Sequence, residues 1–138
     1  MVDWDDLLDV KRVREELGVS QSQLADLVGV SVRTVQSCEQ RWRGPSSALE
    51  KSLLLMLLAF RNGAEFGQQV CYDAVHPRPG ACDQCLARRS GQTHLCWLFS
   101  GNSCQGKRLH SWAEKKAACG ECAFLHRLLG DRRTSGEV

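Results

Sequence analysis

Seven of the chain's eight cysteines fall between Cys71 and Cys122, and four of them form two Ala-Cys-x-x-Cys knuckles, ACDQC and ACGEC. The full spacing runs C-x10-C-x2-C-x10-C-x7-C-x14-C-x2-C. Two residues between thiolates let one turn present both sulfurs to one ion, and two knuckles complete a four-sulfur shell. Cys82, Cys85, Cys119 and Cys122 are therefore the first candidate metal ligands. Cys96, Cys104 and Cys71 are further candidates, because seven thiols exceed one tetrahedral site. The 33 residues between the knuckles are more than the roughly 15–20 of a compact zinc ribbon. An iron–sulfur cluster takes four cysteines from scattered positions, so it stands beside Zn2+ as the expected cofactor. His94, His76, His110 and His126 add nitrogen atoms nearby, although packing or surface roles are the commoner use of each. Trp97 and Trp112 are expected to fill a small core around the sulfur site. Lys107-Arg108 and Lys115-Lys116 read as solvated charges.

Residues this rich in sulfur need a scaffold, and the composition divides the chain in two. Of 138 residues, 43% are hydrophobic, yet only Cys38 lies in the first 70. An ordinary apolar core followed by a region held by sulfur is the expected organisation: residues 1–62, a linker at 63–70, a cysteine-rich domain at 71–130 and a flexible tail at 131–138. The opening MVDWDDLLDV is acidic and lacks the basic-then-apolar pattern of a secretory leader. The longest apolar run, Leu53 to Phe60, is far short of the roughly 20 residues of a membrane span. A cytoplasmic protein with no membrane association is expected, where structural disulfides are disfavoured. Net charge is only +2, but Arg33, Arg41 and Arg43 cluster away from the acids at 3–9, and placement matters more than the sum. A thioredoxin-like Cys-x-x-Cys needs a βαβ setting that is absent, and no hydrolase constellation or phosphate-binding glycine loop occurs. No enzymatic activity is expected.

The front half has helical periodicity throughout. A helix is expected from about Asp5 to Leu17, stopped by Gly18. Ser20 with Gln23 forms a capping box that opens a helix at Gln21. Leu24, Ala25 and Val28 give that helix an apolar face. Gly29 ends it, Ser31 caps the next, and Val35 ties that next helix to the core. Arg41 to Pro45 is a loop. Ser47 with Glu50 reads as a second capping box, opening LEKSLLLMLLAFR, which is apolar nearly all round. Two short helices across a glycine turn, with a small residue at their crossing, make a helix-turn-helix that offers its second helix to the major groove.

The stretch VREELGVSQSQLADLVGVSVRTVQSCEQRWRGPS resembles the Cro/XRE-type helix-turn-helix, over about residues 10 to 60. It departs at Cys38, where an aromatic residue often stands. The resemblance implies a mainly α, repressor-like domain of four or five helices and a sequence-specific transcriptional regulator. It implies that Gln21 bonds a DNA phosphate, and that Ser31, Arg33, Thr34, Gln36 and Ser37 form the exposed face of the recognition helix. Arg33 and Gln36 have the chemistry to read base edges, whereas Ser31 and Thr34 suit phosphates or a thymine methyl. Arg41 and Arg43 fall on the flanking backbone. One short helix reads DNA weakly, so a homodimer on a double-stranded operator is expected.

The back half, through Cys96-Trp97, the Ser100-Gly101 to Gly106 loop and Lys116 to Phe124, is similar to the two-CW domain, a small module of signalling proteins in anaerobic bacteria. It departs at Cys71-Tyr72 and Cys85-Leu86. The similarity implies a sensing association without choosing a metal. The expectation is a regulator whose metal or iron–sulfur centre senses redox state or metal. The alternative is a DNA-binding protein with a purely structural zinc site.

Overall fold

The computed structural model describes residues 2–68, 92–98, 103–104, 107–108 and 110–130. The fold is mainly helical and divides into two compact units, Asp3–Phe60 and Arg61–Val138 together with Met1–Val2.

The first unit holds five helices: α1 (Trp4–Leu7), α2 (Val10–Leu17), α3 (Gln21–Val28), α4 (Val32–Glu39) and α5 (Ser47–Asn62), whose last two residues belong to the second unit. Where one helix was expected over 5–17, the chain breaks at Leu8 and Asp9, and Asp9 is extended at the start of α2. The core explains the break. Leu8 and Val10 are both 2% exposed, and in one continuous helix residues two apart point to nearly opposite sides. Gly18 and Gly29 close α2 and α3 in the left-handed region, at φ 73° and 76°, as glycine after a helix permits. The Ser20–Gln23 capping box forms in full. Ahead of α5, the cap is Ser46 rather than Ser47: its hydroxyl accepts from the Leu49 N–H at 3.1 Å, so the helix starts one residue early. Leu24, Ala25, Val35, Leu53, Leu54, Leu57 and Leu58 are buried together with Val10 and Val13. That core buries one side of α5 only, since Leu55 and Phe60 are exposed.

In the second unit, residues 63–68, expected as linker, form a 3-10 helix with Phe66 buried. A second 3-10 segment, Thr93–Leu98, packs against it and against α6 (Trp112–Cys119). α7 (Ala123–Leu128) follows. A two-residue antiparallel pair joins β1 (Ser103–Cys104) and β2 (Lys107–Arg108). Trp97, Trp112, Phe124, Leu125 and Leu128 are buried, so both tryptophans belong to the core of this unit. Lys115 does not stay in solvent: it is 1% exposed, because it lies on the face of α6 that also carries Trp112 and Cys119. At the end of α7 the carbonyls of Leu128 and of its cap Leu129 accept from Asn62 at 2.7 Å and Arg61 at 2.9 Å.

Candidate nucleic-acid interface

The recognition surface is built by α3, the Gly29 turn and α4. Ala25 is 3% exposed at the α3–α4 packing, and the Gly29 and Val30 N–H groups both donate to its carbonyl, at 2.9 and 3.0 Å. The turn is thereby closed on a residue too small to hold the helices apart. Ser31 caps α4 by accepting from the Thr34 N–H at 3.1 Å, and the two hydroxyls lie 3.0 Å apart. Val35 is fully buried beneath the helix. These fixings leave Ser31, Arg33 and Gln36 exposed on the outer side of α4, with Thr34 and Ser37 half-buried. Arg41 and Arg43 are exposed in the loop that follows.

A partly buried ion pair fixes α4. Arg14 on α2 donates to Glu39 through Nε to Oε2 at 2.6 Å and Nη2 to Oε1 at 3.2 Å, and to the Val19 carbonyl through Nη1 at 3.2 Å. The Glu39 side chain is 6% exposed and that of Arg14 19%. Gln21 Nε2 donates to the same carboxylate at 3.0 Å, and Gln36 Nε2 reaches Gln21 Oε1 at 3.5 Å. A chain of contacts thus runs from α2 through Glu39 and Gln21 to Gln36, on the face expected to read bases. Burial alone would raise the Glu39 carboxyl, but hydrogen bonds from Arg14 and Gln21, with the charges of Arg14 and Lys11, together outweigh it and hold the group below the ordinary carboxylate value. Gln21, assigned to a phosphate, spans Glu39 and Gln36. Its amide N–H2 has a second hydrogen to offer beyond the one given to Glu39.

The Arg14–Glu39 pair is a feature the sequence reading missed. A signal existed: Arg14 follows Val10 by four and Glu39 follows Val35 by four, so each charge sits at a core-facing helical position. Cys38, where the resemblance departs, is 5% exposed and fills core behind α4. Burial pushes its thiol up, opposed by the charge of Arg43.

A family model described as helix-turn-helix matches residues 10–46. This segment is a helix-turn-helix. The match takes in every expected DNA contact from Gln21 to Arg43, and it supports a DNA-binding transcription regulator. No curated protein and no solved structure matches the chain.

Of the expected metal ligands, Cys71, Cys82, Cys85 and the side chain of Cys104 lie outside the described residues, as does His76. Cys119 is buried at the end of α6, and Cys122 begins α7. The Cys122 N–H donates to the Cys119 carbonyl at 3.0 Å, which closes the ACGEC knuckle as a tight turn. Cys96 is half-buried in the segment that packs on α6. Among the described residues, no three of His, Cys, Asp and Glu gather into a metal-holding group. His94 is 7% exposed, stands edge-on to Phe66 at 4.7 Å, and its Nδ1 has no hydrogen-bond partner. Burial lowers its pKa. His126, by contrast, bonds the Gly120 carbonyl through a ring nitrogen at 2.8 Å, and His110 is exposed. Among the described residues no helix is long and apolar enough to cross a membrane.

Proposed function

We propose that this chain is a sequence-specific, cytoplasmic transcriptional regulator that binds a double-stranded DNA operator as a homodimer. The observation that carries the reading is the outer face of α4, where exposed Arg33 and Gln36 stand on a helix fixed from behind by Arg14, Glu39 and Gln21. Rigid presentation matters because a bidentate contact between a side chain and a base edge tolerates little displacement. Selection from a random duplex pool, followed by gel shift of the enriched sequence with wild type and Arg33→Ala, tests it. Enrichment of one motif, and its loss in the variant, is the expected result. A pool that stays random would sink the reading.

We further propose that residues 71–130 hold a metal or iron–sulfur centre through Cys82, Cys85, Cys119 and Cys122, with Cys96, Cys104 and Cys71 as additional ligands, and that its state modulates DNA binding. The closed turn that pairs Cys119 with Cys122 supports such a centre. A metal centre would supply cross-linking of the module, and with iron–sulfur also a redox state. Anaerobic metal analysis and an absorption spectrum distinguish iron–sulfur from zinc. Equal DNA affinity for loaded, stripped and oxidised protein would leave only a structural site.

A further inference from the structure

The end of α4 carries a strained turn whose outermost side chain is left largely in solvent. The Arg41 N–H donates to the Cys38 carbonyl at 3.1 Å and the Trp42 N–H to the Ser37 carbonyl at 2.9 Å. This bond pair is the Schellman closure of a helix, which requires a left-handed residue after the cap. Arg41 supplies it at φ 61°, the one positive φ at a non-glycine among the described residues. Such a conformation costs a side-chain-bearing residue about 1 kcal/mol relative to glycine. In the usual closure, the residue whose N–H reaches back five positions packs an apolar side chain on the last turn of the helix. Here that residue is Trp42, the last turn offers Ser37, and the indole is left 78% exposed. Trp42 is thus a large apolar side chain on a backbone pinned to the recognition helix, with an exposed arginine on either side.

We propose that Trp42 is a DNA-contacting residue: its ring packs on the sugar–phosphate backbone beside the groove that α4 enters, and its indole N–H donates to a phosphate. This rests on the DNA-binding reading above. Charge chooses the occupant. A polyanion is drawn to an indole between Arg41 and Arg43, whereas a two-fold contact with a second copy would set those arginines against their own images. Asp9 lies 3.7 Å from Arg41, but the Arg41 side chain remains 81% exposed and available to the backbone. Fixing the Trp42 backbone before binding lowers the ordering cost that an anchor on a mobile loop would bring.

The test uses the full chain and a fluorescein-labelled mixed-sequence duplex of about three helical turns at low salt, where non-specific binding is measurable. Trp42→Ala should weaken binding about tenfold, the effect of losing a partly buried aromatic contact. Its melting temperature and the slope of log affinity against log salt should be unchanged, because no cation is removed. Arg43→Ala should instead shorten that slope by about one unit. Acrylamide quenching gives a second readout, with the Trp42 signal defined as the fluorescence missing from Trp42→Phe. Duplex should shield that signal. Wild-type protein that binds the duplex while Trp42 stays quenchable, or Trp42→Ala that binds as wild type, overturns this inference alone. Loss of self-association in Trp42→Ala, with unchanged affinity per dimer, makes the indole a contact between copies and also overturns it. Failure of wild type to bind any duplex removes the DNA reading and this inference together.

Discussion

Glu39 and Arg33 sit within two helical turns of each other on α4, and their surroundings give them opposite tasks. Glu39 is enclosed with Arg14 and Gln21, so removing one partner strands the other charge away from water. Arg14→Ala or Glu39→Ala is expected to cost about 1–3 kcal/mol, a large share of the stability of a small domain, and to lower the melting temperature followed by circular dichroism. The pH dependence has a definite sign. Glu39 is held below its ordinary value of 4.5, so folding favours its ionised form. Its stabilisation is fully present above about pH 4.5 and fades as pH falls through the folded value. Glu39→Gln should therefore flatten the acid limb of the stability curve, and an unchanged limb would dissociate the ion pair from acid stability. Arg33 is exposed, so Arg33→Ala should leave the melt within about 0.5 kcal/mol of wild type. On a selected operator it should cost about 1–3 kcal/mol of affinity and relax preference at one base position.

At the scale of elements, the backbone positions that allow the helix-turn-helix differ in how well their residues suit them. A methyl group added at Gly29, where φ is 76°, would meet nothing within 4 Å, so Gly29→Ala should cost only the backbone term, about 1 kcal/mol. Arg41 occupies the same region at φ 61° with the wrong residue type for stability. Arg41→Gly is expected to raise stability by about 0.5–1 kcal/mol while weakening DNA binding, measured by denaturant titration and duplex affinity on one preparation. A destabilised Arg41→Gly would show that the arginine's packing outweighs its strain. These elements also show where sequence is legible. The Ser20–Gln23 box, Gly18, Gly29 and the Ser31 cap are local signals, each complete within four residues, and all of them formed. The break at Leu8–Asp9, the pairing of Arg14 with Glu39 and the burial of Lys115 depend on which faces meet across the fold, which no short window contains. The exposed side of α4 was implied by the family resemblance, and the burial of Val35 and Cys38 on the opposite side agrees with it.

For the whole molecule, the proposed link between a DNA reader and a sulfur-rich unit has a consequence that does not depend on knowing the metal. If the state of the centre changes operator affinity by some factor, operator must change the affinity for the metal by the same factor, since both describe one coupling free energy. A coupling of about 1–3 kcal/mol corresponds to roughly 5–150-fold. Chelator titration of the full chain, with and without saturating duplex, should therefore show a shift in metal release equal to the shift in gel-shift affinity between loaded and stripped protein. Cys119→Ser should abolish both shifts, because it removes one thiolate of the knuckle while keeping the backbone turn between Cys119 and Cys122. It should still bind duplex, with the affinity of stripped wild-type protein, because every proposed DNA contact lies in the unit Asp3–Phe60. Two equal, non-zero shifts identify a sensor. Metal release that ignores duplex, in a protein whose second unit unfolds on chelation, identifies a structural centre. The two outcomes separate the regulator from its alternative by free energies rather than by colour.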